Sequence, residues 1–390
     1  MDSEEVLCGC TLVPVDVADP RLPLLLDDAQ LDLAIVDSKA DVSLLKTCDV
    51  LVLADLIANI NLTANPSKPA VKPIDPSRYS KDAISHIYFT SGSTGRPKGC
   101  VSTLGALSAY CINGKPSSHN TDASSIVFIA SSHTFDPSLG DHLSALATGS
   151  VIARASRSLV LTSLSTCLRL TEATHVCTNP SLFDTVVDIP PTLKVVALGG
   201  EPMGTAVVNR CLERNITLMN TYGVTECAVY QMCSIVTSAS TRKYMGQRGM
   251  LGNDIYLMTP KTPITDDTSI LSIPFSEMTR LTNTTITPDS IGEIWIGGAQ
   301  VGLGYLNRPD LTTSRFITHP EYGRIFRTGD LAKPVFLTPS TTTTTTSSSS
   351  SSLPNPDQHA FDFGSTDNTH QTPQPAHPSS SSAAATRNSK

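Results

Sequence analysis

The chain has 390 residues and a formal net charge of −7, with 16% of residues charged, against about 25% in an average soluble domain. That length leaves room for two to three domains and a large core. The absence of a long basic block argues against a nucleic-acid partner, and the longest apolar runs, Leu22–Leu26 and Val50–Leu53, are too short to span a bilayer, so no membrane partner is expected.

Met1 is followed by Asp2, Glu4 and Glu5, the opposite of the basic start of a signal peptide, so a cytoplasmic location is expected. Ten cysteines are scattered without any Cys-x-x-Cys, and the closest pair, Cys8 and Cys10, lacks histidines at zinc-finger spacing. Reduced thiols, packed as small apolar residues, are the expectation. Leu33–Val36, Val50–Leu53, His86–Phe89, Ile126–Ile129, His175–Cys177, Lys194–Leu198 and Thr217–Asn220 are short and apolar, and read as buried parallel strands. Helix-like stretches such as Asp141–Ala147 and Thr205–Arg214 lie between them, which predicts an α/β domain over residues 1–245. From about Gly246 to Gly298, short strands separated by Pro, Asp and Thr turns predict a β-rich module, taken as 246–331. After Leu331 a Thr/Ser tract and a Pro-, Ser- and Gln-rich stretch follow, too polar to offset chain entropy, so residues 332–390 are expected to be disordered.

The most informative segment runs from Ile87 to Gly99. A buried strand enters a loop with Thr90, Ser91, Gly92, Ser93, Thr94 and Gly95, then Lys98. Glycines let backbone amides approach an anion, hydroxyls add neutral donors and a lysine adds charge, which together suit a polyphosphate. The string is not a Walker A loop, because Lys98 precedes Gly99 and no Ser or Thr follows. It is not a nucleophile elbow either, since Gly-x-Ser-x-Gly cannot be laid over Ser91–Gly95. A lone Gly-Ser-Thr-Gly is usually an ordinary turn.

The full string Thr-Ser-Gly-Ser-Thr-Gly-x-Pro-Lys-Gly resembles the phosphate loop of the adenylate-forming superfamily, and further motifs agree in order. Asn220-Thr-Tyr222-Gly223-Val-Thr225-Glu226 resembles the Asn-x-Tyr-Gly-Pro-Thr-Glu motif, with Val224 in the proline position. Gly292-Glu293-Ile-Trp-Ile-Gly297-Gly298, then Gly302-Leu-Gly304-Tyr305-Leu306, resembles the next, with its following helix at Pro309–Phe316. Phe326-Arg-Thr-Gly-Asp330-Leu331 resembles Tyr-Arg-Thr-Gly-Asp-Leu, and Gly199-Gly200-Glu201-Pro202 resembles the turn that lies against adenine. The resemblance covers about residues 6–331. It implies the layered α/β subdomains of that family's N-terminal domain, followed by the β-rich module and the disordered tail.

The resemblance also implies the chemistry: attack of a carboxylate on the α-phosphate of ATP with Mg²⁺, releasing pyrophosphate. Thr90, Ser91, Gly92, Ser93, Thr94 and Lys98 would hold the β- and γ-phosphates, with Gly95 in the same loop. Thr225 would donate to the α-phosphate and Glu226 would coordinate Mg²⁺. Tyr222 would stack on adenine with Gly200 on the other side and Asn220 at the base edge, and Asp330 would accept from the ribose hydroxyls. Taken singly, an Asp after a Gly is usually a turn residue and a Glu after a Thr is usually solvated; the motif order argues for function. The glycines at 297, 298, 302 and 304 are expected to shape strands and turns.

Phe135-Asp136-Pro137-Ser138 resembles the motif of nonribosomal peptide synthetase adenylation domains in which an aspartate pairs with the substrate ammonium. The alternative for Asp136 is a helix N-cap before Ser138–Leu146. Laying the family's pocket positions on the chain selects Asp136, Pro137, Gly140, Cys177, Ala197, Gly199, Thr221, Val229 and Tyr230, mostly small and apolar walls around one hydroxyl and one phenol that suggest a neutral, bulky amino-acid side chain.

The family's motif set is incomplete here. No hinge motif or late lysine follows Leu331, the start looks short, and no Leu-Gly-Gly-x-Ser is present, so phosphopantetheine is expected only on a separate carrier domain. A fragment of a nonribosomal peptide synthetase is therefore expected, with an acyl- or aryl-CoA ligase and a catalytically impaired nucleotide-binding remnant as alternatives.

Overall fold

The computed structural model describes residues 10–37, 45, 48–63, 80–91, 95–245, 249–262, 270–282, 285–287, 289–336 and 359–362. The N-terminal part holds a helix, Leu22–Ala29, and two short parallel strands, β1 (Leu33–Val36) and β2 (Asp49–Val52). A helix over Leu53–Thr63 follows.

Strands β3 (Ile84–Thr90) and β4 (Lys98–Thr103) pair antiparallel, with Thr90 opposite Lys98. This corrects the parallel expectation for His86–Phe89. The physical reason is the length of the connection: residues 91–97 are enough for a hairpin, whereas a parallel pair needs a crossover of a dozen or more residues. The glycine-rich loop is thus a hairpin tip, and the pairing beneath it sets its two ends side by side.

Six strands form the central sheet: β5 (Ile126–Ile129), β6 (Val151–Ala153), β7 (His175–Thr178), β8 (Val195–Gly199), β9 (Thr217–Tyr222) and β10 (Met232–Ile235), in the order β10-β9-β8-β7-β5-β6. All neighbours are parallel except β10, which returns antiparallel on β9. The run from Val195 to Gly199 is buried throughout, as a strand covered on both faces should be. On one face the helices Arg157–Leu170 and Thr205–Glu213 bury Val160, Leu164, Leu168, Val207 and Val208 against Phe128, Val196, Leu198 and Leu218. Each such side chain contributes about 1.5–3 kcal/mol when fully buried. The other face carries a second cluster that includes Tyr110, Cys177, Ala197, Val229, Tyr230 and Met250.

A third sheet is antiparallel. It contains β11 (Asn253–Pro260), β12 (Met278–Arg280), β13 (Gly292–Gly298), β15 (Phe316–His319) and β16 (Gly323–Phe336), ordered β12-β11-β13-β16-β15. Before β15, the two-residue β14 (Gly304–Tyr305) crosses over to pair with β4, which ties the third sheet's connections to the β3–β4 hairpin. The domain boundary expected at 331 falls inside β16, and β17 (His359–Asp362) pairs with its end, Lys333–Phe336. Residues 337–358 and 363–390 of the expected disordered tail lie outside the described residues.

Among the described residues every cysteine is free, and no helix is long and apolar enough to cross a membrane.

Candidate active site

Parallel strands in an open α/β sheet gather their ligands beyond the carboxyl ends. Here those ends carry Cys177 on β7, Ala197 and Gly199 on β8, and Asn220, Thr221 and Tyr222 on β9. Cys177 pairs with Ala197 in register, and Gly199 with Thr221. A Cβ on Gly199 would lie 2.3 Å from Thr221 Oγ1, so only glycine fits that wall. Gly200 follows in the left-handed region at φ +82°, with open space where a Cβ would point. A flat group can approach the backbone there without meeting a side chain.

Asp136 opens the helix Asp136–Thr148, whose N-cap is Phe135. The carboxylate does not cap its own helix: Oδ2 accepts from the backbone N–H of Val229 at 3.1 Å, across 93 residues of sequence. Of the two sequence readings, the N-cap is the one the geometry does not support. Asp136 is 3% exposed, and burial pushes its carboxyl up to about 7. The Val229 N–H and the Thr225 hydroxyl pull down, while the negative charge of Glu226 pushes up. Pro137 and Gly140 sit on the same helix, and a Cβ on Gly140 would strike the Tyr110 ring at 2.7 Å and Val229 Cγ2 at 3.0 Å.

Val229 itself is unusual. Ala228 and Val229 both have positive φ, +58° and +71°, a conformation a β-branched residue adopts only when its surroundings impose it. Two buried glutamines impose it. Gln300 Nε2 donates to the carbonyls of Cys227, Ala228 and Tyr230, and Gln231 Nε2 donates to those of Cys227 and Ala228. Gly223 closes the bend, since a Cβ there would lie 2.1 Å from the Val229 carbonyl.

Thr225 and Glu226 form a short 3-10 turn between β9 and this bend. Glu226 Oε1 accepts from the Tyr305 hydroxyl at 2.7 Å, and the Lys98 ammonium lies 5.1 Å from the centre of the Tyr305 ring. Cys100, 1% exposed on β4, sits amid these groups. Burial first, then the charges of Glu226 and Asp136, push its thiol up, while a hydrogen bond with Thr90 and the charge of Lys98 oppose them. The phosphate-loop lysine, the metal-ligand candidate and the ammonium-partner candidate therefore share one site.

Asp330 reaches the same site from β16. Its Oδ2 accepts from the Tyr222 hydroxyl at 2.7 Å. Burial pushes the Asp330 carboxyl up, and the Tyr222 bond opposes it. The turn that presents Asp330 is pinned below. Glu293 Oε1 accepts from the Gly329 N–H at 3.1 Å, and Glu293 Oε2 accepts from Arg327 Nη2 at 2.8 Å. Arg327 also donates to the carbonyls of Ile270 and Ile273 and lies 5.2 Å from the Trp295 ring centre. Gly329 takes φ +82° to complete the turn.

Thr90, Ser91, Gly95 and Lys98 flank the hairpin tip, while Gly92, Ser93 and Thr94 lie outside the described residues. Arg96, in the same loop, pairs with Asp28 at 2.5 Å and so anchors the loop to the Leu22–Ala29 helix. Asn220 Nδ2 donates to the carbonyls of Arg242 and Tyr244, so its amide nitrogen is committed to holding that segment. The residues that sequence reasoning left without a role are Tyr305, Gln231, Gln300, Glu293 and Arg327. Tyr305 and Glu293 lay inside quoted motifs, which was the available signal; the two glutamines carried none.

A family model described as AMP-binding enzyme matches residues 6–306. The chain belongs to the AMP-binding enzyme family. Curated relatives are nonribosomal peptide synthetases. One from Aspergillus flavus, agiA, is 28% identical over 331 residues, covering 83% of this chain and 4% of the relative. Nonribosomal peptide synthetase 2 of Gibberella zeae is 27% identical over 341 residues, covering 84% and 6%. The synthetase sidC of Aspergillus fumigatus is 31% identical over 284 residues, covering 67% and 6%. The chain thus spans about a twentieth of the length of these relatives. Among solved structures, the Klebsiella oxytoca NpsA N-terminal subdomain in complex with 3-hydroxyanthranilyl-AMSN aligns with TM-score 0.68 at 20% identity, over 92% of this chain and 82% of that one. The same subdomain in complex with 3-hydroxybenzoyl-AMSN gives 0.65 at 21%, over 83% and 76%. These likenesses establish that the chain has the fold of an adenylation N-terminal subdomain.

Proposed function

We propose that the chain activates an amino acid as its aminoacyl adenylate, within a nonribosomal peptide synthetase whose carrier domain receives the product. One observation carries this reading: Asp136, a buried carboxylate, sits beside Thr225 and within the field of Glu226, so a substrate ammonium and the phosphate-facing residues are neighbours. An ammonium there removes the penalty that burial places on an ionised Asp136.

The nucleotide fits the groups present. Gly200 leaves a face open for the base and Tyr222 stands beside Asp330, whose carboxylate suits ribose hydroxyls. Mg²⁺ fits as an ion held largely by phosphate oxygens, because the described residues contain no cluster of three protein ligands and Glu226 offers one carboxylate. Bound there, the metal would neutralise phosphate charge. Lys98 adds a second positive charge, Thr225 aims a hydroxyl at the α-phosphate, and Asp136 holds the ammonium so that the substrate carboxylate faces that phosphorus.

The test is ATP–pyrophosphate exchange across panels of amino acids, hydroxybenzoates and fatty acids, together with thermal shift by non-hydrolysable adenylate analogues. Amino acids should stimulate exchange, and aminoacyl analogues should raise the melting temperature. If only hydroxybenzoates or fatty acids act, the substrate is a simple acid and Asp136 has another role. If neither ATP nor any analogue stabilises the chain, it is not a nucleotide-binding adenylation unit.

A further inference from the structure

Six of the nine wall positions taken from sequence are small or apolar, with Asp136, Thr221 and Tyr230 the polar ones, and a buried ion pair lies one helical turn beyond them. Lys115 donates to Asp141 Oδ1, with the two side chains 3% and 0% exposed. Asp141 follows Gly140 and stands four residues after Pro137, so it lies on the helix side that those wall residues define, one turn deeper. Lys115 follows Tyr110 and Cys111 by five and four residues along the neighbouring helical segment, Ala109–Gly114 and Lys115–His119. The two elements meet where the Tyr110 ring packs on Gly140 and the Cys111 thiol approaches the Gly140 carbonyl at 3.8 Å.

The pair's charges reach the walls. Asp141 acts on Cys177, Tyr230 and Tyr110, and Lys115 acts on Cys177. Burial opposes the charge on Lys115, and the Asp141 carboxylate together with smaller contributions from Cys177 and Cys111 holds the ammonium above its ordinary range.

The pair is incompletely satisfied. Asp141 Oδ2 and the Tyr110 hydroxyl are buried without hydrogen-bond partners, and Lys115 has three hydrogens to share. Unpaired buried polar atoms are costly, and native proteins keep few of them. The pair as a whole is neutral, which disfavours a charged visitor and suits one group able to donate to Asp141 and accept from Lys115.

Resting on the aminoacyl-adenylate reading above, we infer that Lys115 and Asp141 form the specificity-determining end of the side-chain pocket, selecting an amino acid whose side chain ends in a neutral group that both donates and accepts, a carboxamide or a hydroxyl. The amide or hydroxyl hydrogen goes to Asp141 Oδ2, and the oxygen accepts from Lys115 Nζ. An apolar side chain of the same shape leaves Asp141 Oδ2 unpaired and offers Lys115 no acceptor beyond Asp141 Oδ1.

The experiment compares near-isosteric aminoacyl-adenylate analogues by calorimetry on the full chain: asparaginyl against leucyl, glutaminyl against methionyl, and tyrosyl against phenylalanyl. At least one polar member should bind about tenfold or more tightly than its apolar mate. The double variant Lys115→Met/Asp141→Val, which replaces the pair with apolar groups rather than stranding one charge, should erase that preference. Equal or tighter binding of every apolar member overturns the inference and leaves the adenylation reading standing, as does a preference that survives in a folded double variant. Binding of ATP with no binding of any aminoacyl analogue overturns both. The comparison on the parent chain decides the matter even where the double variant fails to fold.

Discussion

Tyr305 joins two charged groups of the candidate site: its hydroxyl bonds Glu226 Oε1 at 2.7 Å while its ring underlies the Lys98 ammonium at 5.1 Å. The two contacts use different parts of one side chain, so they can be separated. Tyr305→Phe keeps the ring and frees the carboxylate. It should raise the Mg²⁺ concentration needed for tight ATP binding about fivefold, with metal-free nucleotide affinity unchanged. Tyr305→Leu should weaken both. Calorimetric titration of ATP over a Mg²⁺ series separates the outcomes, and a purely structural Tyr305 would instead lower the melting temperature equally in both variants.

Asp136 makes the chain's pH response readable. Its carboxyl is pushed up to about 7 by burial, above its value of 3.8 in an unfolded chain. The sign follows: the stability it contributes is fully present below about pH 4 and is lost as pH rises through 7. Asp136→Asn should therefore be more stable than the parent at pH 8, by an amount on the order of a few kcal/mol, with the difference shrinking toward pH 5. Binding of aminoacyl analogues should show the opposite trend in the parent, strengthening as pH rises through 7. In the variant it should be weak at every pH, with ATP binding retained. Urea denaturation and calorimetry at matched pH values check both.

The Tyr222–Asp330 bond predicts a non-additive pair of losses. Removing Asp330 as Asp330→Ala should weaken ATP binding about tenfold to a hundredfold, the range for a charge-assisted hydrogen bond. Replacing ATP by 2′- or 3′-deoxy-ATP should cost the parent a similar factor for whichever hydroxyl Asp330 holds. The same deoxy compound should cost the Asp330→Ala chain little. Full additivity would show that Asp330 does not touch the ribose.

Gln300 holds the strained Ala228–Val229 bend through three carbonyls, two of which it shares with Gln231, so Gln300→Leu should strand the Tyr230 carbonyl, leave Cys227 and Ala228 to Gln231 alone, and destabilise the fold by roughly 1–3 kcal/mol. Aminoacyl-analogue binding should fall more than ATP binding, because the Val229 N–H is what orients Asp136. Equal loss of the two ligands would make the bend a general stability element.

Much of the site was legible from residues in order. Glycines at 95, 200 and 329, all inside the quoted motifs, take positive φ in the fold. The run Lys194–Leu198 announced a buried parallel strand, and β8 lies there. The hairpin under the phosphate loop was misread as parallel because a short apolar run has no signature of its neighbour's direction; only the loop length could have said it. Gln231 and Gln300 gave no signal, since a buried amide is defined by the carbonyls around it and those come from a bend 70 or more residues away for Gln300.

By itself the sequence determined which chemical groups this protein owns: a hydroxyl- and glycine-rich loop with a lysine, a Thr-Glu pair, an aspartate after a strand, an aspartate in a Thr-Gly-Asp turn. Those are local strings, and local backbone preferences and motif order are enough to find them. Tertiary structure alone decided which of them share a site, that Asp136 bonds Val229 rather than capping its helix, and that Lys115 meets Asp141. Those facts depend on burial and on contacts between segments far apart in the chain, where desolvation gives a charge or an amide its meaning, and no periodicity or spacing encodes them.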